Sequence, residues 1–154
     1  MVRFQEYTDQ YKQQTIDIIL EVWENEFDFK GLKRPDIYNI QETYIDPPRS
    51  NFWLIFDEDQ LIGTVAVLEK NSKFCHLKRM LLIKSKRGQG IGIKALNHAI
   101  EFAKEVGFKR MLAGTVEENP NAIKFYLDHG FIKQKEAPED ITAANDSICL
   151  ELKL

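Results

Sequence analysis

The sequence predicts an α/β fold, a mixed, mostly antiparallel sheet of six to seven strands flanked by four helices, and three observations carry the reading. The β-rich runs at 51–56, 61–68 and 73–83 are joined by short polar turns, as in an antiparallel meander. The stretches 11–29 and 93–106 repeat apolar residues at three- and four-residue steps, the pattern of helices with one buried face. The chain has 154 residues, 44% of them hydrophobic and 11% aromatic, which suits one domain with a real core. No repeat, low-complexity tract or interdomain linker interrupts it, so a single domain over 1–154 is expected.

In chain order, Val2 to Tyr7 reads as a first strand. From Tyr11 to Phe29, residues Ile16, Ile19, Leu20, Trp23 and Phe27 mark a helix that Thr8 or Asp9 could cap. Gly31 and Pro35 punctuate the chain, and Ile37, Ile40 and Tyr44 predict a shorter helix over 36–45 that ends before Pro47-Pro48. Asp57-Glu58-Asp59-Gln60 is hairpin-turn chemistry, and Lys70-Asn71-Ser72 joins the second β run to the third, Lys73 to Ile83. Ile93 to Val106 follows as a helix with Ile93, Leu96, Ile100 and Ala103 on one stripe and Gly107 as its stop. Lys109 to Val116 is a strand, Pro120 to Asp128 a helix with Gly130 as its C-cap, Phe131 begins another strand, and Ser147 to Leu152 is the last.

Charge and cysteine usage narrow the function. Lys and Arg number 21 against 24 Asp and Glu, a net charge of −3, too close to neutral for a protein dedicated to neutralising nucleic-acid phosphates. Any anion site must be local. The start has no apolar signal core and no apolar run approaches the length needed to span a bilayer, so a cytoplasmic location is expected. Cys75 and Cys149 are far apart and lack ligand spacing, which suggests no zinc site; their separation leaves a disulfide between them open. Cys75 sits mid-strand beside Phe74, where a buried inert thiol is expected rather than a nucleophile.

The most informative stretch is Arg87-Gly88-Gln89-Gly90-Ile91-Gly92, between a strand and a strong amphipathic helix. Alternate glycines let backbone N–H groups turn inward toward a ligand, and the helix N-terminus behind them carries partial positive charge. That combination is a pyrophosphate cradle. Lys84, Lys86, Arg87 and Lys94 cluster around it in an otherwise acidic chain. A P-loop is disfavoured, because Lys94 follows Ile93 and precedes Ala95 rather than sitting in Gly-Lys-Ser/Thr. The dinucleotide fingerprint needs GxGxxG where this chain has GxGxG, although Glu117 falls where a ribose-binding acid would sit, so a dinucleotide-binding oxidoreductase is the competing reading. Against it, too little chain follows the glycines to build a doubly wound domain.

Arg87, Gly90 and Gly92 resemble the Arg/Gln-x-x-Gly-x-Gly/Ala signature of the GNAT N-acetyltransferases. Asn119-Pro120-Asn121-Ala122-Ile123-Lys124-Phe125-Tyr126, followed by Gly130-Phe131, resembles a second stretch of the same family. Two motifs in the right order are more specific than one. The resemblance runs from about Asn51 to Leu154 and is weakest over 1–50.

That resemblance implies a GNAT-like fold, acetyl-CoA as cosubstrate, no metal, and transfer of the acetyl group to a primary amine by direct attack. It implies that the backbone of Leu81, Leu82 and Ile83 pairs with the pantetheine arm as an added strand does. It further implies that Arg87, Gly88, Gln89, Gly90, Ile91 and Gly92 hold the pyrophosphate by their N–H groups, with Ile93 and Lys94 opening the helix over it, and that Asn119 contacts the cofactor from the next loop. Tyr126 would give a proton to the departing thiolate, a phenol of pKa about 10 and a thiol of about 8.5 being close enough for transfer.

Many relatives carry Glu in a Glu-Leu-Lys-Arg context on the strand before the cradle, whereas this chain has His76-Leu77-Lys78-Arg79. His76 thus stands as the candidate base, although a lone strand histidine is more often structural. Glu69 and Glu117 are fallback bases. The missing glutamate also motivates a different class of function, a CoA-binding regulatory module without turnover. Trp23, Phe27, Phe29, Tyr38 and Tyr44 lie where such enzymes build the acceptor pocket. Glu24, Glu26 and Asp28 favour a cationic acceptor while Arg34 and Arg49 favour a carboxylate, so the acceptor stays open between a small amine and a peptide amine. No nucleic-acid or membrane partner is expected, and a homodimer is allowed.

Overall fold

A computed structural model describes residues 1–26, 34–115, 119–134 and 148–154 of the protein. Seven strands form one sheet: β1 (Val2–Glu6), β2 (Asn51–Asp57), β3 (Gln60–Glu69), β4 (Phe74–Leu82), β5 (Arg110–Thr115), β6 (Ile132–Gln134) and β7 (Ile148–Lys153). Their spatial order is β1-β2-β3-β4-β5-β7-β6. β4 and β5 run parallel, over Phe74–His76 against Arg110–Leu112, while β1 with β2, β2 with β3, and β7 with both β5 and β6 are antiparallel. This is the mixed, mostly antiparallel sheet the turn chemistry predicts. It is not a doubly wound order, which removes the structural basis of the dinucleotide reading.

The α-helices are α1 (Lys12–Glu26), α2 (Ile91–Glu105) and α3 (Pro120–Asp128). By internal contacts the chain divides into two compact units, Met1–Leu68 with Lys78–Ala99, and Glu69–Leu77 with Ile100–Leu154.

In the first unit, one face of β2 offers Phe52, Leu54 and Phe56 to a core completed by Ile18, Ile19 and Trp23 of α1 and by Ile37, Ile40 and Tyr44. Its opposite face carries Trp53, whose ring meets His98 of α2 edge-on at 4.8 Å, while Phe4 of β1 stacks on the same imidazole at 4.8 Å. Both faces of β2 are covered, which is why Phe52–Phe56 reads as a continuous apolar run rather than an alternation. In the second unit, Leu112, Cys149 and Phe74 pack together.

Three elements differ from expectation. The predicted helix over 36–45 is two short pieces, a 3-10 turn Pro35–Tyr38 and a wide turn Gln41–Ile45 closed by Asp46 N–H onto the Gln41 carbonyl at 2.8 Å. Asn39 (φ −135°, ψ 47°) breaks them apart. A continuous helix would space residues 36 and 44 about 12 Å along its axis; the break lets the Tyr44 hydroxyl donate to Asp36 at 2.6 Å.

The second difference is that α2 starts at Ile91, two residues early, so its buried stripe is Ile91, Ala95, Leu96, Ala99 and Ala103, and Ile93 is 40% exposed. Third, α1 is preceded by a 3-10 turn Asp9–Tyr11, where Thr8 holds the N-cap place without a side-chain hydrogen bond. Phe27, Phe29, Gly31, Glu117 and Ser147 lie outside the described residues.

Asp36 is held on both oxygens by Arg79, Oδ2 by Nε at 2.7 Å and Oδ1 by Nη2 at 2.6 Å, with both side chains largely buried. Burial alone would raise its pKa, but the hydrogen bonds and charge of Arg79, the Tyr44 hydroxyl and the charge of Lys78 outweigh that and hold it below the ordinary carboxylate value. A depressed folded pKa contributes stability that is fully present above the unfolded value, about 3.9, and is lost as pH falls through the folded one. Asp36→Asn is therefore expected to cost about 3 kcal/mol at pH 7. In urea unfolding from pH 7 to 2.5, the gap between wild type and variant should be constant above about pH 5 and close below about pH 4.

Candidate functional site

The first unit carries the end of β4 and the loop into α2. Ile83 N–H donates to the Ile62 carbonyl at 2.9 Å, so it is turned toward β3; by the alternation of a strand, the N–H and carbonyl of Leu82 face away from β3. Gly63 lets the strands come this close. A Cβ there would overlap the Leu81 carbonyl oxygen and press on Leu82 Cδ2 at 2.8 Å. No motif announces Gly63, and its only signal is a glycine inside an otherwise apolar β run.

The chain leaves the strand through a 3-10 turn, Lys84–Lys86, in which Lys86 N–H donates to the Ile83 carbonyl at 3.0 Å and Arg87 N–H to the Lys84 carbonyl at 3.2 Å. Gly88 (φ 75°) and Gly90 (φ 81°) then adopt left-handed backbone. A Cβ at either would meet nothing within 4 Å, so conformation rather than crowding calls for glycine. Lys94 N–H makes the first bond of α2, onto the Gly90 carbonyl at 3.3 Å. The N–H groups of Ile91, Gly92 and Ile93 are therefore first-turn donors that no carbonyl within the helix can satisfy, with the positive end of a fifteen-residue helix behind them. Such a turn can receive a phosphate group, so the residues fit the diphosphate of acetyl-CoA.

The charges around it are unequal. Lys84, Arg87 and Lys94 are exposed, while Lys86 is half-buried and paired with Asp57 at 2.8 Å. That pairing, with the N-terminal amine, holds Asp57 below the ordinary carboxylate pKa. Arg87 departs from its expected part, since its N–H closes the 3-10 turn. Its Nε and Nη2 donate to the Leu82 carbonyl at 3.0 and 2.7 Å. The two groups expected to face the ligand thus meet each other, tying the cradle to the strand end. Beside them, a cleft of about 600 Å³ opens between one face of α1, carrying Asp17 and Glu21, and residues Leu61, Ile83 and Lys84.

The second unit holds the other expected site residues. Tyr126 is on α3, 9% exposed, with its ring 5.2 Å from that of Phe131, whose N–H donates to the Tyr126 carbonyl at 3.0 Å. Asn119 caps α3, its Oδ1 accepting from Ala122 N–H at 3.3 Å, and Pro120 follows at the first helical position. Its carboxamide NH₂ is the part that could reach a cofactor. His76 lies in β4 opposite Leu112, 3% exposed. Glu69 is exposed at the end of β3.

Of the acceptor-pocket aromatics, Tyr44 and Trp23 are core, and Tyr38 is 45% exposed. Cys75 and Cys149 are buried free thiols. Among the described residues, no three His, Cys, Asp or Glu are grouped to hold a metal ion, and no helix is long and apolar enough to cross a membrane.

Residues 13–131 match the model of the acetyltransferase (GNAT) family. Human N-acetyltransferase 8B is 28% identical over 105 residues, 65% of this chain and 46% of that protein. The chain spans about half the length of the curated relatives it matches first. A GNAT-family acetyltransferase from Staphylococcus aureus Mu50 superposes with a TM-score of 0.91 at 28% identity, covering 99% of each chain. PaiA N-acetyltransferase from Thermoplasma acidophilum, solved in complex with coenzyme A, shares the fold with a TM-score of 0.76 at 18% identity, covering 100% of this chain and 99% of that one.

The two kinds of glycine respond differently to substitution. Gly63→Ala should cost about 1–3 kcal/mol by overpacking, and Gly90→Ala about 1–2 kcal/mol through its left-handed backbone. Asparagine, which tolerates that conformation, should recover most of the loss at position 90 and none at 63, measured by urea unfolding.

Proposed function

The chain belongs to the acetyltransferase (GNAT) family, and on that premise we propose that it transfers the acetyl group of acetyl-CoA to a primary amine by direct attack. The observation that carries the reading is the turn at Gly88 and Gly90, left-handed at both glycines and leading straight into the first-turn N–H groups of α2. Those donors, with exposed Lys84 and Lys94, take the diphosphate of the cofactor. Of the three residues expected to meet its amide-bearing arm, Leu81 and Ile83 are turned toward β3 and Leu82 offers its backbone groups, Arg87 giving up the Leu82 carbonyl as that arm arrives.

In the chemical step the amine nitrogen bonds to the thioester carbonyl carbon, backbone N–H groups polarise the carbonyl, and the carbon–sulfur bond breaks. Tyr126 gives its phenolic proton to the leaving thiolate, and His76 takes the proton of the amine. Asn119 holds the cofactor through its carboxamide NH₂. The acceptor is a small-molecule or peptide amine, and the activity belongs in the cytoplasm.

The burial of His76 also supports a second reading, a module that binds CoA without turning it over. One pair of measurements separates the two. Acetyl-CoA at about 100 times its dissociation constant should stabilise the protein by about 2.7 kcal/mol in thermal melts. A panel of primary amines should then release CoA thiol, and Tyr126→Phe should lower kcat by about 100-fold or more while the KM for acetyl-CoA stays within about threefold. Stabilisation with no thiol release from any amine would select the binding module, and neither response would overturn both.

A further inference from the structure

We propose that Asp36 is a positioning residue for the cofactor strand: by gripping Arg79 it holds one residue of β4 in a left-handed conformation and so decides which backbone groups of Leu81 and Leu82 face the cofactor. The inference rests on the acetyl-CoA reading above and names a residue outside both sequence motifs.

Its first support is backbone conformation. Within β4 Arg79 has φ 49°, the left-handed region that a long side chain avoids. Such a residue inside a strand marks a bulge, which exchanges the two faces of all that follows it. Without it, the Leu82 carbonyl would turn toward β3 and be lost to a ligand, and its neighbours would turn out instead.

The second support is what surrounds Arg79. Asp36 holds Nε and Nη2 at 2.7 and 2.6 Å, the Tyr44 hydroxyl fixes Asp36 at 2.6 Å, and the guanidinium lies 5.1 Å from the centre of the Trp23 ring. Thr64 Oγ1 donates to the Arg79 carbonyl at 2.5 Å, so the backbone is fastened as well as the side chain. A strained residue held by Asp36, Trp23 and Thr64 from three elements, with Tyr44 fixing Asp36, is over-determined, the condition under which strain persists. The charge pair does nothing at the cradle itself, and its influence passes through β4.

The test is calorimetric titration with CoA, together with steady-state kinetics in acetyl-CoA, on folded wild type, Asp36→Asn, Tyr44→Phe and the double variant Asp36→Asn/Arg79→Gly. Asp36→Asn should raise the Kd for CoA and the KM for acetyl-CoA by about tenfold or more while kcat stays within about threefold, a split that loss of stability alone does not produce. Tyr44→Phe should shift both in the same direction by about two- to fivefold.

Glycine takes the left-handed conformation without help, so the double variant should bind CoA about fivefold more tightly than Asp36→Asn. A folded Asp36→Asn with wild-type Kd, or a double variant no tighter than the single one, would overturn the proposal. If Asp36→Asn does not fold, an unchanged Kd in Tyr44→Phe overturns it instead and a raised one upholds it. Wild type that binds no CoA would bring down the acetyl-CoA reading and this inference together, whereas wild-type binding with unaffected variants removes this inference alone.

Discussion

Arg79 sits in a conformation it would not choose, and much of the first unit is arranged to keep it there. The carboxylate of Asp36 answers two of its donors, Tyr44 steadies that carboxylate, and Trp23 lies under the guanidinium plane. Placing these groups together requires residues 35–45 to fold as two short turns rather than one helix, with Asn39 as the break. The same constraint reaches β3, where Thr64 fastens the Arg79 carbonyl and Gly63 leaves room for Leu81 and Leu82. A largely buried ion pair of this kind is a weak source of net stability, because desolvation offsets most of the attraction. What it supplies instead is a single register.

The legible part of the fold was the part governed by local rules. Helix α3 lies over Pro120–Asp128 as predicted, because Asn119, Pro120 and Gly130 punctuate it at both ends. The hairpin turn at 57–60 and the strand runs were likewise written in their turn residues. The break at Asn39 was not legible, because the spacing of Ile37, Ile40 and Tyr44 suits a helix and the opposing force comes from Arg79, thirty-five residues past Tyr44. The start of α2 was misread for a related reason. Ile93 looks like a core residue by spacing, but the turn at Gly90 sets the phase of the helix and puts Ile91 in the core instead.

At the candidate site, the glycines and their place before a helix were visible, since backbone geometry leaves a compositional trace. The partners of the charges were not. Four basic residues in a row of eleven look equivalent in sequence, yet Lys86 is neutralised by Asp57 and Arg87 is turned onto the Leu82 carbonyl. His76 shows the same limit, for its position in a motif says nothing of its 3% exposure. What the cradle offers an anion is thus mostly backbone dipole, with Lys84 and Lys94 as exposed charge, in a chain whose net charge of −3 repels anions elsewhere.

The strand order β5-β7-β6 has a temporal side. β7 lies between two strands that are made before it, and it is the antiparallel partner of both. Until Ile148–Lys153 pairs with them, Ile132–Gln134 has no strand to join and Arg110–Thr115 has one edge open. The second unit is therefore assembled by closing a gap from within rather than by adding to an edge. During that interval the waiting edge of β5 presents Met111, Leu112 and Ala113, which the finished sheet buries almost completely, to whatever else is nearby. A folding chain of this topology is most open to wrong pairing before its last strand docks.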